Sequence, residues 1–332
     1  PKGLLSVLTG PRTLHIDIVD YPGEWLLDLG LLDQSYEAWS SAAITRARAR
    51  TIGDEFLASL KNSDANAPFD EVTAKTLSKT FSTYLHAAHE AGFSDCTPGR
   101  FLLPGDLEGS PVLTFAPLLV ASGKRGTLGH EFARRFESYK RNVVKPFFRD
   151  HFSKIDRQVV LVDVLGAIHA GPPAVEDLRN VMGDILGAFR PGRNVFLRRI
   201  FKGRRIEKIL FAATKADHLH HTQHGQLTAI TEALLRDAKD RADFSGATTA
   251  AMSIAALRTT VEETVNHRDG PLNVVRGKLL DSGKQAAFYP GKLPSDPMHL
   301  LGPARAGAAD WLDDDYACLL YTSPSPRDLQ GS

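Results

Sequence analysis

The chain has 332 residues, of which 42% are hydrophobic and 24% are charged, and its formal net charge is +1. This length suits one large α/β domain with an insertion, or two domains. The near-neutral charge gives no reason to expect nucleic acid as a partner, and no run of about 18 apolar residues predicts a membrane-spanning helix. Two cysteines, Cys96 and Cys318, are too few for a disulfide framework or a zinc cluster, so we expect a cytoplasmic setting.

Four short apolar runs predict buried strands, at residues 14–20, 159–163, 209–213 and 248–253. Each run is bounded by charged or turn-forming residues, and long stretches with helical spacing separate the runs. This alternation favours an α/β fold with a doubly wound, mostly parallel sheet.

The region between residues 31 and 155 has a different character. Segments 33–61, 70–91 and 127–150 are rich in helix-forming residues at helical spacing. A link between a strand and the next helix normally needs only a few residues. We therefore predict that residues 31–155 form a largely helical insertion between two strands of the sheet.

The first motif with chemical meaning is Asp20-Tyr21-Pro22-Gly23-Glu24-Trp25, which follows the first apolar run. A carboxylate at the end of a strand can hold Mg²⁺, and the N–H of Gly23 can then sense the γ-phosphate of a nucleotide. Glu24 stands where such enzymes place a side chain that orients water. Taken alone, the motif is more simply interpreted as a strand followed by a Pro-Gly turn.

A second carboxylate competes with Asp20 for the metal role. Asp163 ends a cleaner apolar run and heads Asp163-Val164-Leu165-Gly166, a second Asp-x-x-Gly sequence. Strand counting favours Asp20, because the three later runs then supply the next three strands in order. With Asp163 in that role, a further strand would be needed between 167 and 207, where the sequence offers one helix and an arginine-rich run.

The segment Thr214-Lys215-Ala216-Asp217 is similar to the Asn-Lys-x-Asp motif that reads a guanine base. The Asp217 carboxylate can accept hydrogen bonds from N1–H and the 2-amino group of guanine, and adenine offers neither donor. The stem of Lys215 would pack along the base, and Thr214 replaces the usual Asn. Ser253-Ile254-Ala255 then ends the next run, where small residues let backbone N–H groups approach a base. A solvated strand end is the simpler alternative.

Two further clusters are interpreted as surface features. His218, His220, His221 and His224 follow the base motif, and positions 220 and 224 have a spacing that could share a metal on a helix. No cysteine or carboxylate completes that site nearby in the sequence. The basic run at 190–208 could face phosphate or anionic lipid, but a solvated arm is favoured.

The sequence contains no G-x-x-x-x-G-K-[ST] phosphate-binding loop. Without that loop the β- and γ-phosphates of a nucleotide lose their backbone cradle and their lysine, so we expect this polypeptide to be inactive. The chain starts at Pro1 without a methionine, and residues 317–332 resemble a translated adapter sequence. We expect the loop to lie upstream and the tail to be non-native.

Five segments resemble sequences of the YcjX-like family. The members of this family are bacterial P-loop NTPases linked to stress. The segments are 18–29 (IVDYPGEWLLDL), 98–106 (PGRFLLPGD), 156–163 (DRQVVLVD), 210–218 (LFAATKADH) and 289–291 (YPG). The resemblance implies a Ras-like P-loop NTPase fold with a helical insertion. It also implies a GTPase-type hydrolase acting on an acid anhydride, with GTP or GDP as ligand and Mg²⁺ as cofactor.

The resemblance also implies roles for particular residues. Asp20 would position Mg²⁺, Glu24 would orient the attacking water, and Asp217 would select guanine. A charged Glu24 beside the γ-phosphate predicts slow hydrolysis, and Arg100, in a loop bracketed by Pro-Gly pairs, is a candidate arginine finger. Residues 1–30 and 156–316 would form the nucleotide-binding domain around the 31–155 insertion.

A function of another class stays open at this point. The protein could be a nucleotide-gated interaction protein whose helical insertion docks an unknown protein partner in response to stress. Hydrolysis would then be incidental or absent, and the basic run could hold the protein at the inner-membrane surface.

Overall fold

The computed structural model shows a mixed architecture of helices and strands. It describes residues 15–119, 123–151, 155–188, 206–242, 247–267, 270–279 and 282–306. Within these ranges, no helix is both long enough and apolar enough to cross a membrane.

Helices make up the first part of the described chain. They are α1 (Gly23–Leu27), α2 (Tyr36–Ala49), α3 (Asp54–Lys61), α4 (Glu71–Glu90), α5 (Leu128–Tyr139) and α6 (Lys145–His151). Ser35, Asp70 and Thr127 each begin a helix by accepting a backbone N–H at the side-chain oxygen, as N-cap residues do. The described residues between 31 and 155 contain helices and no β-strand, which is the secondary structure that the sequence predicts there.

An aromatic cluster forms the core of the described residues between 31 and 155, which we call the helical region. Trp39 on α2 stacks on Phe136 of α5 with the ring centroids 5.0 Å apart. Phe81 and Phe115 meet Trp39 edge-on at 5.8 and 5.5 Å, and all four side chains are fully buried. Because aromatic rings bury large apolar areas and gain from these contact geometries, the helical region has a substantial core of its own.

Three parallel strands follow in the order β1-β2-β3: β1 (Arg157–Val162), β2 (Lys208–Ala213) and β3 (Thr248–Ser253). Helices α7 (Val164–Ala170) and α8 (Pro172–Ala188) lie between β1 and β2 in the chain, and α9 (His224–Ala242) lies between β2 and β3. The strand predictions at 159–163, 209–213 and 248–253 are confirmed, and so is their parallel pairing.

The two faces of this sheet differ. Val160 and Phe211 are buried in one core with Leu178 of α8 and Ile230 of α9. On the opposite face, Val159 and Leu161 are 53% and 59% exposed. The described residues therefore cover one face of the sheet, and the doubly wound arrangement with helices on both faces stays a prediction.

The predicted strand at 14–20 is wrong for the described residues 15–20, which adopt no regular secondary structure. Ile16 and Ile18 are 72% and 87% exposed. A strand needs a neighbour that satisfies its backbone groups and covers its apolar side chains. Residues 15–20 pair with neither β1 nor β3, the two edge strands of the described parallel sheet. Their apolar pattern therefore does not produce a strand.

A second, antiparallel sheet was not predicted from the sequence. It consists of β4 (Val261–His267), β5 (Gly270–Lys278) and β6 (Gln285–Phe288), and α10 (Met298–Ala306) follows it. The sequence of β4, Val-Glu-Glu-Thr-Val-Asn-His, is too polar to stand out as a buried run. Glu263 on β4 forms an ion pair of 2.7 Å with Arg276 on β5, a cross-strand contact of the kind that stabilises such sheets.

Asp177 on α8 ties the helical region to the parallel sheet. Its Oδ1 forms an ion pair of 2.8 Å with Arg50 at the end of α2. Its Oδ2 accepts the backbone N–H groups of Ser94 and Asp95 at 2.6 and 2.8 Å. The Arg50 and Asp177 side chains are only 4% and 12% exposed, and each buried charge therefore depends on the other.

Asp28, just after α1, is a second buried carboxyl at the junction with the helical region. It accepts the N–H of Gly99 at 2.9 Å and the hydroxyl of Tyr139. A Cβ at position 99 would lie 2.3 Å from the Glu24 carbonyl oxygen, so this close approach requires glycine. Burial raises the pKa of Asp28 to about 7, against the lowering effect of its two hydrogen bonds.

This raised pKa predicts a pH-dependent stability. An unfolded Asp ionises near pH 3.8, so the folded state favours the protonated form, and this contribution is fully present only below that value. Relative to Asp28→Asn, the free energy of unfolding of the unsubstituted protein should fall by about 4 kcal/mol as the pH rises from about 4 to about 7, and then stay level. Urea denaturation of both proteins across this range measures the difference. A difference that does not change with pH would contradict a buried, protonated Asp28.

Candidate functional site

The carboxyl ends of the three parallel strands meet at one edge of the sheet. The register pairs Val162 with Ala213 and Ala213 with Ser253, so Asp163, Thr214 and Ile254 all follow at the same edge. Ligands of open α/β sheets bind outside this edge. The sequence motifs that follow β2 and β3 therefore occupy the place where such a site is expected.

Backbone hydrogen bonds join the two motif segments. The Ile254 N–H donates to the Ala213 carbonyl at 2.8 Å, and the Ala216 N–H donates to the Ile254 carbonyl at 3.0 Å. Thr214 donates to the Val162 carbonyl through its N–H at 2.9 Å and through its hydroxyl at 3.3 Å. The structure thus brings Thr214–Asp217 and Ser253–Ala255 together. The Thr214 hydroxyl is engaged in a hydrogen bond to the backbone of β1.

Lys215 adopts a left-handed conformation with φ of 59°, which costs energy for a residue with a Cβ. Its Nζ lies 2.8 Å from Oδ2 of Asp163. The other oxygen of Asp163 accepts the Gly166 N–H at 2.8 Å and caps α7. The second Asp-x-x-Gly sequence is therefore an N-cap at the start of a helix, and both of its carboxylate oxygens are engaged.

Asp217 is only 8% exposed, and residues 259–260, which lie outside the predicted motifs, hold it in place. Its Oδ2 accepts the N–H of Thr259 at 2.8 Å and the Thr259 hydroxyl at 2.9 Å. The Thr260 hydroxyl donates to the Asp217 carbonyl. No described residue donates to Oδ1 of Asp217. The only sequence signal for this contact is a Thr-Thr pair a few residues beyond Ser253-Ile254-Ala255.

Ser253 contributes its backbone to this edge and directs its side chain elsewhere. Its hydroxyl donates to the His224 carbonyl at 3.2 Å and accepts from the Thr228 hydroxyl at 3.1 Å, so it faces α9. Ala255, by contrast, is exposed at the edge.

The four histidines separate into different environments. His224 donates from Nε2 to the Ala216 carbonyl at 2.8 Å, so it braces the base motif and does not share a site with His220. Burial lowers the pKa of His218, which favours its neutral form. His220 and His221 instead meet Glu262 of β4, a carboxylate too distant in the sequence for the spacing to reveal.

A second group of predicted site residues lies around α1. The Arg100 guanidinium lies over the ring of Trp25, 3.3 Å from its centroid. Its Nη1 donates to the Pro104 carbonyl at 3.2 Å and lies 3.4 Å from Asp106. Asp20 and Gly23 are exposed, and Glu24 is half-buried. The structure therefore brings Arg100 next to the Asp20–Trp25 segment.

The two groups are anchored at different ends of β1. The Tyr21 hydroxyl accepts from Nε2 of Gln158, near the start of β1, at 2.7 Å. Asp163 and the base motif lie beyond the opposite end of that strand. Residues 190–205, which hold most of the basic run, lie outside the described residues, and Lys208 begins β2.

Comparison with known proteins gives consistent results. The profile of the YcjX-like family, DUF463, matches residues 1–319. The chain is 35% identical over 307 residues to a Shewanella oneidensis protein named Ras-like GTPase YcjX, covering 89% of this chain and 63% of that protein. It is 34% identical over 303 residues to an Escherichia coli K12 protein of the same name, covering 88% of this chain and 65% of that protein. The chain thus spans somewhat less than two thirds of the length of these relatives.

The capping role of Asp163 can be separated from a role of its charge. Asp163→Ala removes the N-cap of α7 and the Lys215 ion pair, and should lower the free energy of unfolding by about 1–2 kcal/mol. Asp163→Asn keeps an oxygen that can accept the Gly166 N–H and should cost less than half as much. Urea denaturation of the three proteins measures this. Equal losses in the two variants would contradict the capping role.

Proposed function

The chain belongs to the YcjX-like family, and from this we propose that its parallel sheet is part of a Ras-like P-loop fold that binds guanine nucleotides. One observation carries the proposal. Two segments of the base-reading type are hydrogen-bonded to each other through Ala216 and Ile254 at the carboxyl edge of a parallel sheet. This is the edge at which α/β proteins bind nucleotides. The two relatives named Ras-like GTPase support the same proposal.

Asp217 would select the base. Its carboxylate accepts only, so it suits the N1–H and 2-amino donors of guanine and rejects adenine, which places an unprotonated nitrogen at N1. Thr259 fixes the carboxylate through Oδ2, and Oδ1 is left to receive the base. A second hydrogen bond from the base would share Oδ2 or displace a donor of Thr259.

Neighbouring residues would complete the base site. Lys215 lies over the same edge with its ammonium on Asp163, which leaves the apolar stem of the side chain to pack along a base. Thr214 would hold the loop against β1 through its two hydrogen bonds to Val162. Ala255, an exposed residue after β3, would let its backbone approach the base.

The residues near α1 would form the phosphate side of the site. Tyr21 is anchored near the start of β1, so this segment would have to move toward the carboxyl edge when a nucleotide binds. Asp20 offers an exposed carboxylate, a hard oxygen ligand of the kind that Mg²⁺ prefers in company with phosphates and water. Asp163 is a poorer candidate, because Gly166 and Lys215 already engage its oxygens. When bound at Asp20, Mg²⁺ would neutralise charge on the β- and γ-phosphates.

We assign the remaining roles in GTP hydrolysis as the sequence suggests. Gly23 would contact the γ-phosphate through its N–H, Glu24 would orient water, and Arg100 would stabilise developing phosphate charge. Arg100 would first have to leave the Trp25 ring and its contacts with Pro104 and Asp106, and a negatively charged Glu24 would repel the γ-phosphate. Both features favour slow turnover.

The stress link, the domain boundaries and a protein or membrane partner stay predictions.

The base assignment is tested by a change of nucleotide specificity. Xanthine carries a carbonyl where guanine carries the 2-amino group, so an amide at position 217 should prefer xanthosine triphosphate (XTP). Two mismatched hydrogen bonds should move the ratio of GTP to XTP affinity by about 100-fold in Asp217→Asn. Calorimetry, or NMR titration where binding is weak, measures each affinity directly on the full chain.

Asp240→Asn is the matched control, because Asp240 is an exposed carboxylate on α9 and its removal changes the net charge equally. The control should keep the unsubstituted preference for GTP. The same preference for GTP in Asp217→Asn would overturn the base assignment. Failure of the unsubstituted chain to bind either nucleotide saturably would count against a base site in this chain.

A further inference from the structure

Three side chains with metal-binding atoms converge where the loop after the base motif meets the second sheet. His220 and His221 precede α9, and Glu262 lies on β4. Their ligand atoms all lie within 4.8 Å of one another. The nucleotide chemistry proposed above uses none of them. We propose that His220, His221 and Glu262 form a binding site for a divalent transition metal of the Zn²⁺ class.

The distances suit a metal after small side-chain movements. Nδ1 of His221 lies 2.5 Å from Oε2 of Glu262, and Nε2 of His220 lies 3.9 Å from the same oxygen. Tetrahedral Zn²⁺ with bonds of about 2.0–2.1 Å places neighbouring ligand atoms about 3.4 Å apart. One distance must therefore open by about 0.9 Å and the other must close by about 0.5 Å.

The donor set determines the class of metal. Two imidazole nitrogens with one carboxylate oxygen suit Zn²⁺, Co²⁺ and related ions, whereas Mg²⁺ favours all-oxygen ligands. Three protein ligands leave a fourth position for water or another ligand. This site is therefore chemically distinct from the Mg²⁺ position proposed at Asp20.

The surroundings of His220 resemble the support that metal-binding histidines receive. The side chain is 8% exposed, and its Nδ1 lies 3.0 Å from the Thr222 hydroxyl. Metal binding at Nε2 would require the tautomer in which Nδ1–H donates to that hydroxyl, and this hydrogen bond would fix the ring, as outer partners of metal ligands do. The Thr222 N–H donates to the same nitrogen at 3.4 Å, and metal binding would replace this longer hydrogen bond.

Glu262 can bind the metal and keep its ion pair with Arg258. Its Oε1 lies 3.2 Å from Nη2 of Arg258, and its Oε2 faces the two histidines. The Arg258 ion pair therefore orients the carboxylate and leaves Oε2 for the metal.

A metal at this site would cross-link β4 to the loop that follows the base motif. Glu262 stands two residues beyond Thr260, whose hydroxyl donates to the Asp217 carbonyl. The metal would therefore reinforce the contact that holds Asp217. Metal binding itself does not depend on the proposed nucleotide function, so the two can be tested separately.

The test uses the full chain, freed of metal with a chelator and without nucleotide. Added Co²⁺ should give the visible absorption of a tetrahedral or five-coordinate site, and Zn²⁺ should abolish it at one equivalent per chain. His221→Gln and Glu262→Gln should each weaken Zn²⁺ binding at least about tenfold, because even outer partners of metal ligands contribute 10- to 100-fold. His221 is 65% exposed, so its replacement should not prevent folding.

His86→Gln with His89→Gln is the control, because these histidines are an exposed pair one turn apart on α4. That double variant should bind Zn²⁺ like the unsubstituted chain, and excess Mg²⁺ should leave the Co²⁺ spectrum unchanged. Binding that survives in both His221→Gln and Glu262→Gln would overturn the proposal. So would loss of binding in the α4 control, or no stoichiometric binding in the unsubstituted chain.

Discussion

The parallel pairing of β2 with both of its neighbours is the constraint on which the rest of the site depends. It places the ends of β1, β2 and β3 at one edge, and residues far apart in the sequence meet there for that reason alone. The ladder continues past the strands through Thr214, Ile254 and Ala216. A loop that would otherwise be free is therefore held in register, and Lys215 is kept in a left-handed conformation. The chemistry proposed for Asp217 relies on this order.

The second sheet and the helical region are joined to the parallel-sheet region by different contacts. Thr259 and Thr260 lead into β4 and form hydrogen bonds with Asp217, so the antiparallel sheet is coupled to the base motif. The helical region is fixed to α8 through Asp177 and to α1 through the carboxyl of Asp28. Movement of α1 would therefore disturb the buried hydrogen bonds that Asp28 makes with Gly99 and Tyr139.

Much of the fold could be predicted because its strands are short, apolar and separated by clear helical patterns. The run at 14–20 has the same pattern but forms no strand in its described part, since pairing with a neighbour is not encoded in one segment. The polar β4 gave no apolar signal. Thr259 and Glu262 were missed for a related reason: each meets its partner across about 40 residues of chain. The Asp163 sequence was ambiguous because a helix N-cap and a metal carboxylate share the Asp-x-x-Gly spacing.

We propose above all that a guanine base binds at the carboxyl edge of the parallel sheet. Backbone amide NMR of the full chain, deuterated and titrated with GDP, tests it most directly. We expect saturable shifts concentrated at residues 214–218, 253–255 and 259–260, and the same shifts should be absent with ADP at equal concentration. Shifts of equal size with GDP and ADP, or shifts confined to residues outside these three segments, would contradict it.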